Sequence, residues 1–329
     1  TSTGEMSNTN STYRGNTYIG DGTMITAIEN AYNGRSDWGA NMVKTIIDVR
    51  ASMIAGAGID VVHVPGGKSD GKKEIEFIRK MLLYNNINPK KQIDWAVEGG
   101  IEGRAFALLT AVDTEDGKNV KVTFVPRHGS NYNIKTNPLD YTDIIGADLS
   151  LGEQRLLGGK TIKPERFVYQ KFGGRATKVN DSTPVVGHIM PQIESLDKAM
   201  RDWREINFLY ASPTPVVECD DAADAQAQWD FMNNTVKWKI GKLLVIGGGT
   251  FKMVGPDVQG VESLMNEVTT CVKIISAGTG IPPHFLGFPD IMTNRATADS
   301  VTEMLYSATG KERVGWIQFY TEIFRKSLE

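Results

Sequence analysis

Cysteine is nearly absent from this chain of 329 residues, which contains only Cys219 and Cys271. Two cysteines cannot staple a chain of this length, so a disulfide-rich secreted scaffold is excluded. Long apolar runs are missing too: no stretch of about 18 consecutive apolar residues occurs, so no transmembrane helix is predicted. The first residues also lack the charged and apolar pattern of a signal segment. We therefore expect no membrane partner.

An excess of positive charge is also missing. The chain has 36 Lys and Arg against 39 Asp and Glu, for a net charge of −3. A protein that grips DNA across its whole surface would be strongly basic, so that class is excluded. Apolar residues make up 40% and charged residues 23%, as in ordinary globular proteins. At about 150 residues per domain, the length predicts two domains.

Local nucleotide-binding motifs are incomplete. Gly66–Ser69 matches the end of the phosphate-binding pattern G-x-x-x-x-G-K-[ST], but Val62 stands where the first glycine is required. Gly247–Gly249 follows a predicted strand, but Lys252 replaces the third glycine of a dinucleotide fingerprint. Both segments are therefore predicted to be turns. An ATP-dependent nucleic-acid-processing enzyme that uses Gly66–Ser69 remains the alternative function.

Metal and catalytic signatures are missing as well. Asp113–Gly117 resembles a calcium loop without its distal glutamate, so a hairpin turn is predicted there. No histidine is paired with another histidine or a cysteine at metal-ligand spacing, and neither G-x-S-x-G nor H-E-x-x-H occurs. We predict no catalytic residue, no metal and no cofactor. Because many active sites lack local motifs, these absences disfavour an enzyme without excluding one.

The first half of the sequence predicts helices and short strands. Residues 1–24 are rich in Thr, Ser, Asn and Gly, which is typical of an arm without its own core. A break is expected in the third predicted helix at Gly99-Gly100. The predicted helices are 37–55, 72–85 and one from 88; the predicted strands are 59–64, the hairpin 105–112 with 120–125, and the pieces 142–145 and 167–172.

The second half predicts two helices of matched length, 191–211 and 257–277, that flank an insert at 213–255. Their apolar residues recur every three or four positions, which predicts an antiparallel stalk with a small tip. One seam comprises Ile193, Leu196, Met200, Trp203, Asn207 and Tyr210; the other comprises Val261, Met265, Val268, Val272 and Ile275. The insert is predicted as strand 214–218, helix 222–233, and strands 243–246 and 250–254.

A loop over 278–296 is predicted to precede one long helix, Thr297–Lys326. The residues assigned to the inner face of this helix are Val301, Leu305, Ala308, Val314, Ile317 and Phe324. Together with the preceding elements, this order predicts the α+β fold class.

Two segments resemble the portal proteins of tailed double-stranded-DNA bacteriophages. The first is Gly280-Ile281-Pro282-Pro283-His284-Phe285-Leu286-Gly287, followed after a short gap by Asn294-Arg295-Ala296-Thr297-Ala298. In that family, a helix ends at a G-[IV]-P-P-x-[LF]-L-G segment, a loop follows and a long helix resumes. The second segment, Val186–Lys198 with Ala211-Ser212-Pro213, fills the family's position before the insert. The likeness is clear over about 186–310 and rests on element order alone over about 30–185.

The resemblance implies a portal-like subunit with an α/β wing, a two-helix antiparallel stem, a small α/β clip and a long C-terminal helix. The chain would then divide into an N-terminal arm 1–24, wing 25–187, stem helices 188–212 and 256–278 around clip 213–255, tunnel-loop region 279–297 and long wing helix 298–329. In the family this helix leads towards a crown, most of which this sequence does not include.

The same resemblance implies a ring of twelve subunits at the capsid vertex of the virion, assembled in the host cytoplasm. Double-stranded DNA would pass through the ring during packaging and ejection. The implied partners are other copies of the chain, the terminase large subunit, a head-tail adaptor, and the major capsid and scaffold proteins. Nucleotide hydrolysis would occur in the terminase motor.

Three sets of residues are candidates for these contacts. The tunnel-loop candidates are Asp290, Ile291, Met292, Thr293, Asn294 and Arg295. Lys242, Lys252 and Lys273 are candidate channel lysines, although a solvated position on the exterior is the favoured interpretation for them. Trp229 and Trp238 are assigned to contacts between clips, because a small tip cannot easily bury two tryptophans. A weakly DNA-binding adaptor that forms no ring is a third alternative.

Overall fold

The computed structural model describes residues 21–34, 41–62, 71–115, 117–126, 132–149, 161–175, 177–211, 214–218, 221–234, 250–254, 258–291 and 295–329. The chain divides into two compact units. The first unit contains residues 1–195 and 271–329, and the second contains residues 196–270. Helices and small antiparallel sheets are combined, which confirms the predicted α+β class.

In the described part of the first unit there are four N-terminal helices, six strands and a long C-terminal helix. The helices are α1 Asp21–Asn33, α2 Met42–Ala55, α3 Lys72–Tyr84 and α4 Pro89–Glu102. The strands are β1 Arg104–Thr114, β2 Gly117–Phe124, β3 Tyr132–Asn137, β4 Asp140–Leu149, β5 Thr161–Ile162 and β6 Phe167–Lys171. The sheets have the orders β2-β1-β6 and β3-β4-β5, and all pairs are antiparallel.

The first helices begin differently from the predictions. Helix α1 includes residues 21–24 of the predicted arm, and Met24 is buried, so the arm assignment is wrong for these residues. Residues 1–20 lie outside the described residues. Helix α2 begins at Met42 rather than 37, because the Asn41 side chain accepts a hydrogen bond of 3.0 Å from the Lys44 amide and caps the helix there. Residues 35–40 are also outside the described part.

Helix α4 passes through Gly99 and Gly100 without a break, contrary to the prediction. A Cβ at Gly99 would lie 2.6 Å from Cζ2 of Trp316 and 3.1 Å from Phe172. Glycine is therefore required by close packing, and the hydrogen bonds and buried face of α4 outweigh its weak helix propensity. The helix ends at Gly103, which adopts a left-handed conformation with φ 70°.

The predicted hairpin is confirmed by β1 and β2, where Thr114 pairs with Gly117 across the turn. The predicted pieces 142–145 and 167–172 are parts of β4 and β6. Residues 59–62 form no strand, contrary to prediction, and 63–64 lie outside the described residues. Ile59 and Val61 instead pack directly against the main apolar cluster of the first unit, where burial needs no pairing strand.

Strand β1 separates two hydrophobic clusters. Ala105, Ala107 and Leu109 face the larger cluster, which also contains residues of α2–α4 and the C-terminal helix. Phe106 and Leu108 face the other cluster, on the β3-β4-β5 side. Successive side chains of a strand point to opposite faces, so the first residues of β1 are buried on both sides. This strand therefore connects the two cores of the first unit.

The C-terminal helix, α8, covers Arg295–Leu328 and confirms the predicted long helix. Its buried face is different from the prediction, because Ala308, Val314 and Ile317 are exposed. Leu305 is buried and Phe324 half-buried as predicted, while the Val301 side chain lies outside the described part. The actual inner face contains the aromatic residues Trp316, Phe319 and Tyr320, whose larger surfaces pack against Trp95 and Phe172.

Helices α5, Met190–Ala211, and α7, Val258–Thr279, have 22 residues each and run between the two units. Burial of the predicted seams is partial. Ile193, Leu196, Met200, Val268, Val272 and Ile275 are buried; Trp203 is half-buried; Asn207 and Met265 are exposed. The side chains of Tyr210 and Val261 are outside the described part. The buried members of the two predicted seams therefore lie in the first half of α5 and from the middle of α7 onward.

The second unit also contains strand β7 Thr214–Glu218, helix α6 Ala222–Asn234 and strand β8 Thr250–Val254. The two strands pair antiparallel with each other, from Thr214 opposite Val254 to Glu218 opposite Thr250. The predicted strand 243–246, Gly247–Gly249 and Cys219 lie outside the described residues. Among the described helices, none is both long and apolar enough to cross a membrane.

Candidate functional site

The connection between α7 and α8 is the candidate functional segment. Helix α7 ends at Thr279, and Gly280 follows in a left-handed conformation with φ 68°. Two 3-10 turns follow, Pro283–Leu286 and Pro289–Ile291. The loop predicted over 278–296 is therefore shorter, because α7 extends to 279 and α8 begins at 295.

Two buried side chains anchor this connection. Ile281 is fully buried and Leu286 is 6% exposed. Pro282 and Pro283 restrict the backbone between these anchors, and the Phe285 amide donates a hydrogen bond of 3.0 Å to the Pro282 carbonyl. After Leu286, Phe288 is half-buried while Pro289 and Asp290 are exposed. The segment is thus fixed at its start and presents its second turn to solvent.

The end of α7 is packed tightly on two sides within the first unit. A Cβ at Gly278 would lie 2.5 Å from Ile189, and Nε2 of His188 lies 3.3 Å from the Gly278 carbonyl oxygen. A Cβ at Gly280 would lie 2.3 Å from Cβ of Ala308 in α8. The start of α5, the end of α7 and the middle of α8 therefore meet here, and two glycines permit the approach.

A buried arginine also contacts the end of α7 and the middle of α8. Arg50 of α2 is 7% exposed and donates from Nη1 to the carbonyl of Thr279, the last residue of α7. Its Nη2 is 2.8 Å from Oε1 of Glu312 and 3.4 Å from the Ala308 carbonyl oxygen, both in α8. We call Arg50, Thr279, Ala308 and Glu312 the Arg50 cluster. Prediction from sequence missed it, although a charge on the apolar face of α2 was a usable signal.

The predicted tunnel-loop residues have several different positions. Asp290 is exposed in the second 3-10 turn, and Ile291 ends that turn. Met292, Thr293 and Asn294 lie outside the described residues. Arg295 was predicted to lie in the loop. It is instead the first residue of α8, because the helical hydrogen bonds begin there. Its side chain is outside the described part.

The candidate lysines and tryptophans are distributed along α6, α7 and β8. Lys273 is exposed on α7, and Lys252 is paired opposite Val216 in the β7–β8 ribbon. Lys242 and Trp238 lie outside the described residues. Trp229 of α6 is 63% exposed.

Among the described residues, no group of three or more His, Cys, Asp or Glu side chains could hold a metal ion. Asp113–Gly117 lies at the β1–β2 hairpin turn, as predicted, where the Thr114 hydroxyl donates to the Gly117 carbonyl over 2.6 Å. Gly66–Ser69, on which the nucleotide alternative depends, lies outside the part of the chain that the structure describes. Cys271 is a buried free thiol.

Comparison with solved structures shows which known chains have a similar fold. A chain from the virion of a native gene transfer agent (GTA) particle aligns with 12% identity and a TM-score of 0.51, covering 84% of this chain and 74% of that one. The two chains share a fold. At this identity, the likeness shows the fold alone.

Two further chains align less closely. One comes from the neck of an empty GTA particle computed with C6 symmetry, with 16% identity, TM-score 0.48 and coverages of 84% and 75%. The other comes from the neck of a native GTA particle computed with C12 symmetry, with 11% identity, TM-score 0.46 and coverages of 86% and 75%. These scores are too low to support an argument. No family model and no curated protein matches the sequence.

Proposed function

We propose that this chain is the subunit of a portal-like ring, a head-tail connector through which double-stranded DNA is packaged and ejected. The fold shared with a chain of a GTA virion, over 84% of the present chain, carries the proposal. The Pro-Pro segment after α7 and the insert between two helices of equal length support it independently. In this proposal the protein is a structural component of the virion at the capsid vertex, assembled in the host cytoplasm, and not an enzyme.

The two long helices have dimensions suited to a channel. At 1.5 Å per residue, α5 and α7 are each about 33 Å long. Twelve helices side by side at about 10 Å give a circumference of about 120 Å. A ring of that circumference is about 38 Å in diameter, and subtracting one helix width of about 10 Å leaves a bore of about 28 Å, enough for duplex DNA. We propose α5 and α7 as the stem, residues 213–255 as the clip, 25–187 as the wing and 298–329 as the long wing helix.

The second part of the connection after α7, together with the first residues of α8, is the proposed tunnel-loop segment, residues 286–297. Its support is the contrast between the buried anchors Ile281 and Leu286 and the exposed Asp290 a few residues later. A segment fixed at its base and exposed beyond it suits a loop that projects into a channel. Around a ring, Asp290 and Arg295 would repeat once per subunit.

Charge supports passage rather than tight binding. Each phosphate contact by Lys or Arg strengthens DNA binding, and many such contacts would hold the duplex in place. A net charge of −3 gives each subunit little overall attraction for DNA. Exposed Lys273 then offers a sparse contact that DNA can leave easily, and Lys242 and Lys252 are proposed for the same role.

The clip is proposed to contact neighbouring copies. In α6, the described side chains of residues 222–227, 229 and 230 are exposed. An isolated helix of 13 residues is marginal in water, so a second surface is expected to cover it. Trp229, with Trp238, is assigned to that interface, while the terminase large subunit and the head-tail adaptor would bind the outer end of the clip. Major capsid and scaffold proteins would contact the wing.

The deciding experiment is electron microscopy of the purified full chain, with mass photometry of the same sample. We expect closed rings with a central hole and a mass of about twelve subunits. A stable monomer at micromolar concentration would contradict the proposal. Isothermal calorimetry with ATP tests the enzyme alternative, and tight nucleotide binding abolished by Lys68→Ala would favour it. Sedimentation measurements distinguish closed rings from the third alternative, a weakly DNA-binding adaptor that forms no ring.

The loop assignment has its own prediction. A chain in which residues 288–296 are replaced by a short glycine linker should still form rings, because the buried anchors at 281 and 286 remain. Such rings should retain or package less DNA than the wild type in a reconstituted packaging assay. Replacing the connection between Thr114 and Gly117 of the β1–β2 hairpin in the same way serves as a control. Normal packaging by the shortened chain would overturn the tunnel-loop assignment.

A further inference from the structure

Arg50 of α2 contacts both the helix that precedes the proposed tunnel loop and the helix that follows it. Its guanidinium contacts the carbonyl of Thr279, where α7 ends, and the Glu312 carboxylate of α8, 17 residues after the first residue of that helix. The side chain of Arg50 is 8% exposed and that of Glu312 is 14% exposed, so solvent competes little for either group. The loop at 280–294 begins and ends on the two helices that this guanidinium connects.

The chemistry of the contact is specific to arginine. The last carbonyls of a helix have no partner within the helix and carry partial negative charge, so a cation is favourable beside Thr279. A planar guanidinium presents several donors in fixed directions, whereas an ammonium is a compact point charge. Arg50 can therefore donate to the end of α7 and to Glu312 at the same time.

The backbone next to the contact has few alternatives. The Gly280 amide donates to the Ser276 carbonyl over 2.8 Å, and the Ile281 amide donates to the Thr279 hydroxyl over 3.2 Å. Gly280 also lies so close to Ala308 that a Cβ would not fit. The direction in which the chain leaves α7 is therefore set by the same residues that surround the guanidinium.

We propose that Arg50 is a positioning residue: it holds the end of α7 against α8 and so sets the direction of residues 280–285, which lead into the tunnel loop. Its consequence for DNA rests on the proposed function, because the loop acts on DNA only if it faces a channel. Arg50 does not contact DNA. It transmits the position of α2 in the proposed wing to the loop.

The test is hydrogen–deuterium exchange by mass spectrometry on the purified full chain, comparing the wild type with Arg50→Gln. We expect the amides of Gly280 and Ile281 to exchange at least about tenfold faster in the variant. Amides of the β1–β2 hairpin should keep their wild-type rates. The matched control is Lys44→Gln on the same helix, which removes an exposed ion pair with Asp48 of 2.8 Å and should change neither region. Unchanged exchange at 280–281 in Arg50→Gln would overturn the proposal.

Two further variants separate positioning from simple charge pairing. Arg50→Lys retains the positive charge but not the fork of donors, so it should also speed exchange at 280–281. The double variant Arg50→Glu with Glu312→Arg swaps the two charges. It keeps opposite charges but puts a carboxylate beside the Thr279 carbonyl, so the amides at 280–281 should not regain their protection from hydrogen exchange. A return to wild-type hydrogen–deuterium exchange rates in this charge-swapped double variant would overturn the proposal. If Arg50→Gln fails to fold, Arg50→Lys decides by the same measurement.

Imaging and DNA retention of the same samples separate this inference from the proposed function. Rings that form with Arg50→Lys but retain less DNA, together with faster local exchange, support both. Faster exchange in a chain whose wild type forms no rings supports the positioning role and contradicts the portal function. Rings with unchanged exchange contradict the positioning role alone.

Discussion

The clusters of the first unit and helix α6 of the second unit differ sharply in how far their described side chains are buried. In the first unit, the aromatic rings of Phe106, Tyr132 and Phe167 stack within one cluster, while Trp95, Trp316 and Tyr320 form part of another. In the second unit, the described side chains of α6 between 222 and 230 are exposed. Burial of apolar surface is the main source of stability. The first unit therefore has its own cores, whereas the described side chains of α6 contribute to none.

The largest expected effect breaks the core of the first unit. Phe106 is fully buried, and its ring centroid lies 4.3 Å from that of Tyr132 and 5.2 Å from that of Phe167. Phe106→Ala should lower the free energy of unfolding by about 3–5 kcal/mol, because it removes a large buried ring and leaves a cavity. Urea denaturation followed by circular dichroism measures this change.

The matched control for Phe106 lies in the second unit. Phe208 of α5 is 69% exposed, so Phe208→Ala should change the free energy of unfolding by less than about 0.5 kcal/mol. Both variants must be measured in the same oligomeric state as the wild type, because assembly shifts apparent stability. Equal losses in the two variants would contradict the difference between the units.

A smaller effect is expected from adding one methyl group inside α4. Gly99→Ala should destabilise the chain by about 1–3 kcal/mol, because the new Cβ would lie 2.6 Å from the Trp316 ring. Its neighbour supplies the control. A Cβ at Gly100 meets only Ile47 at 3.4 Å, so Gly100→Ala should be neutral or stabilise by up to about 1 kcal/mol. Thermal unfolding of the two variants side by side decides whether Gly99 is required by packing.

The smallest expected effect on stability lies in the second unit. Trp229→Ala should change the free energy of unfolding by less than about 0.5 kcal/mol, because the side chain is 63% exposed. If the proposed clip contact forms, the same variant should weaken ring assembly in mass photometry, since exposed tryptophans often dominate interfaces. Gln226→Ala, a change at an exposed polar position of the same helix, is the control. Wild-type assembly of Trp229→Ala would remove Trp229 from the interface.

Element type followed from local patterns in several places. The β1–β2 hairpin was predictable because a turn between two β-prone runs is encoded by adjacent residues. The long helices were predictable because their apolar residues recur at helical spacing. Helix boundaries were less accurate, and Asn41 shows why: the cap depends on a single side-chain hydrogen bond that competes with a continuing helical pattern.

The sequence by itself determined most of the long helices, where the hairpin turns and that two helices of equal length enclose an insert, because these features depend on neighbours in the chain; it missed helix α1. Tertiary structure decided which face of α8 is buried, why Gly99 remains inside a helix and that Arg50 meets Thr279, a residue 229 positions away. Such contacts depend on which distant surfaces fill the same space. Local apolar spacing allows more than one face of α8 to be buried. Packing buries the face with the largest aromatic side chains, because these rings remove the most apolar surface from water.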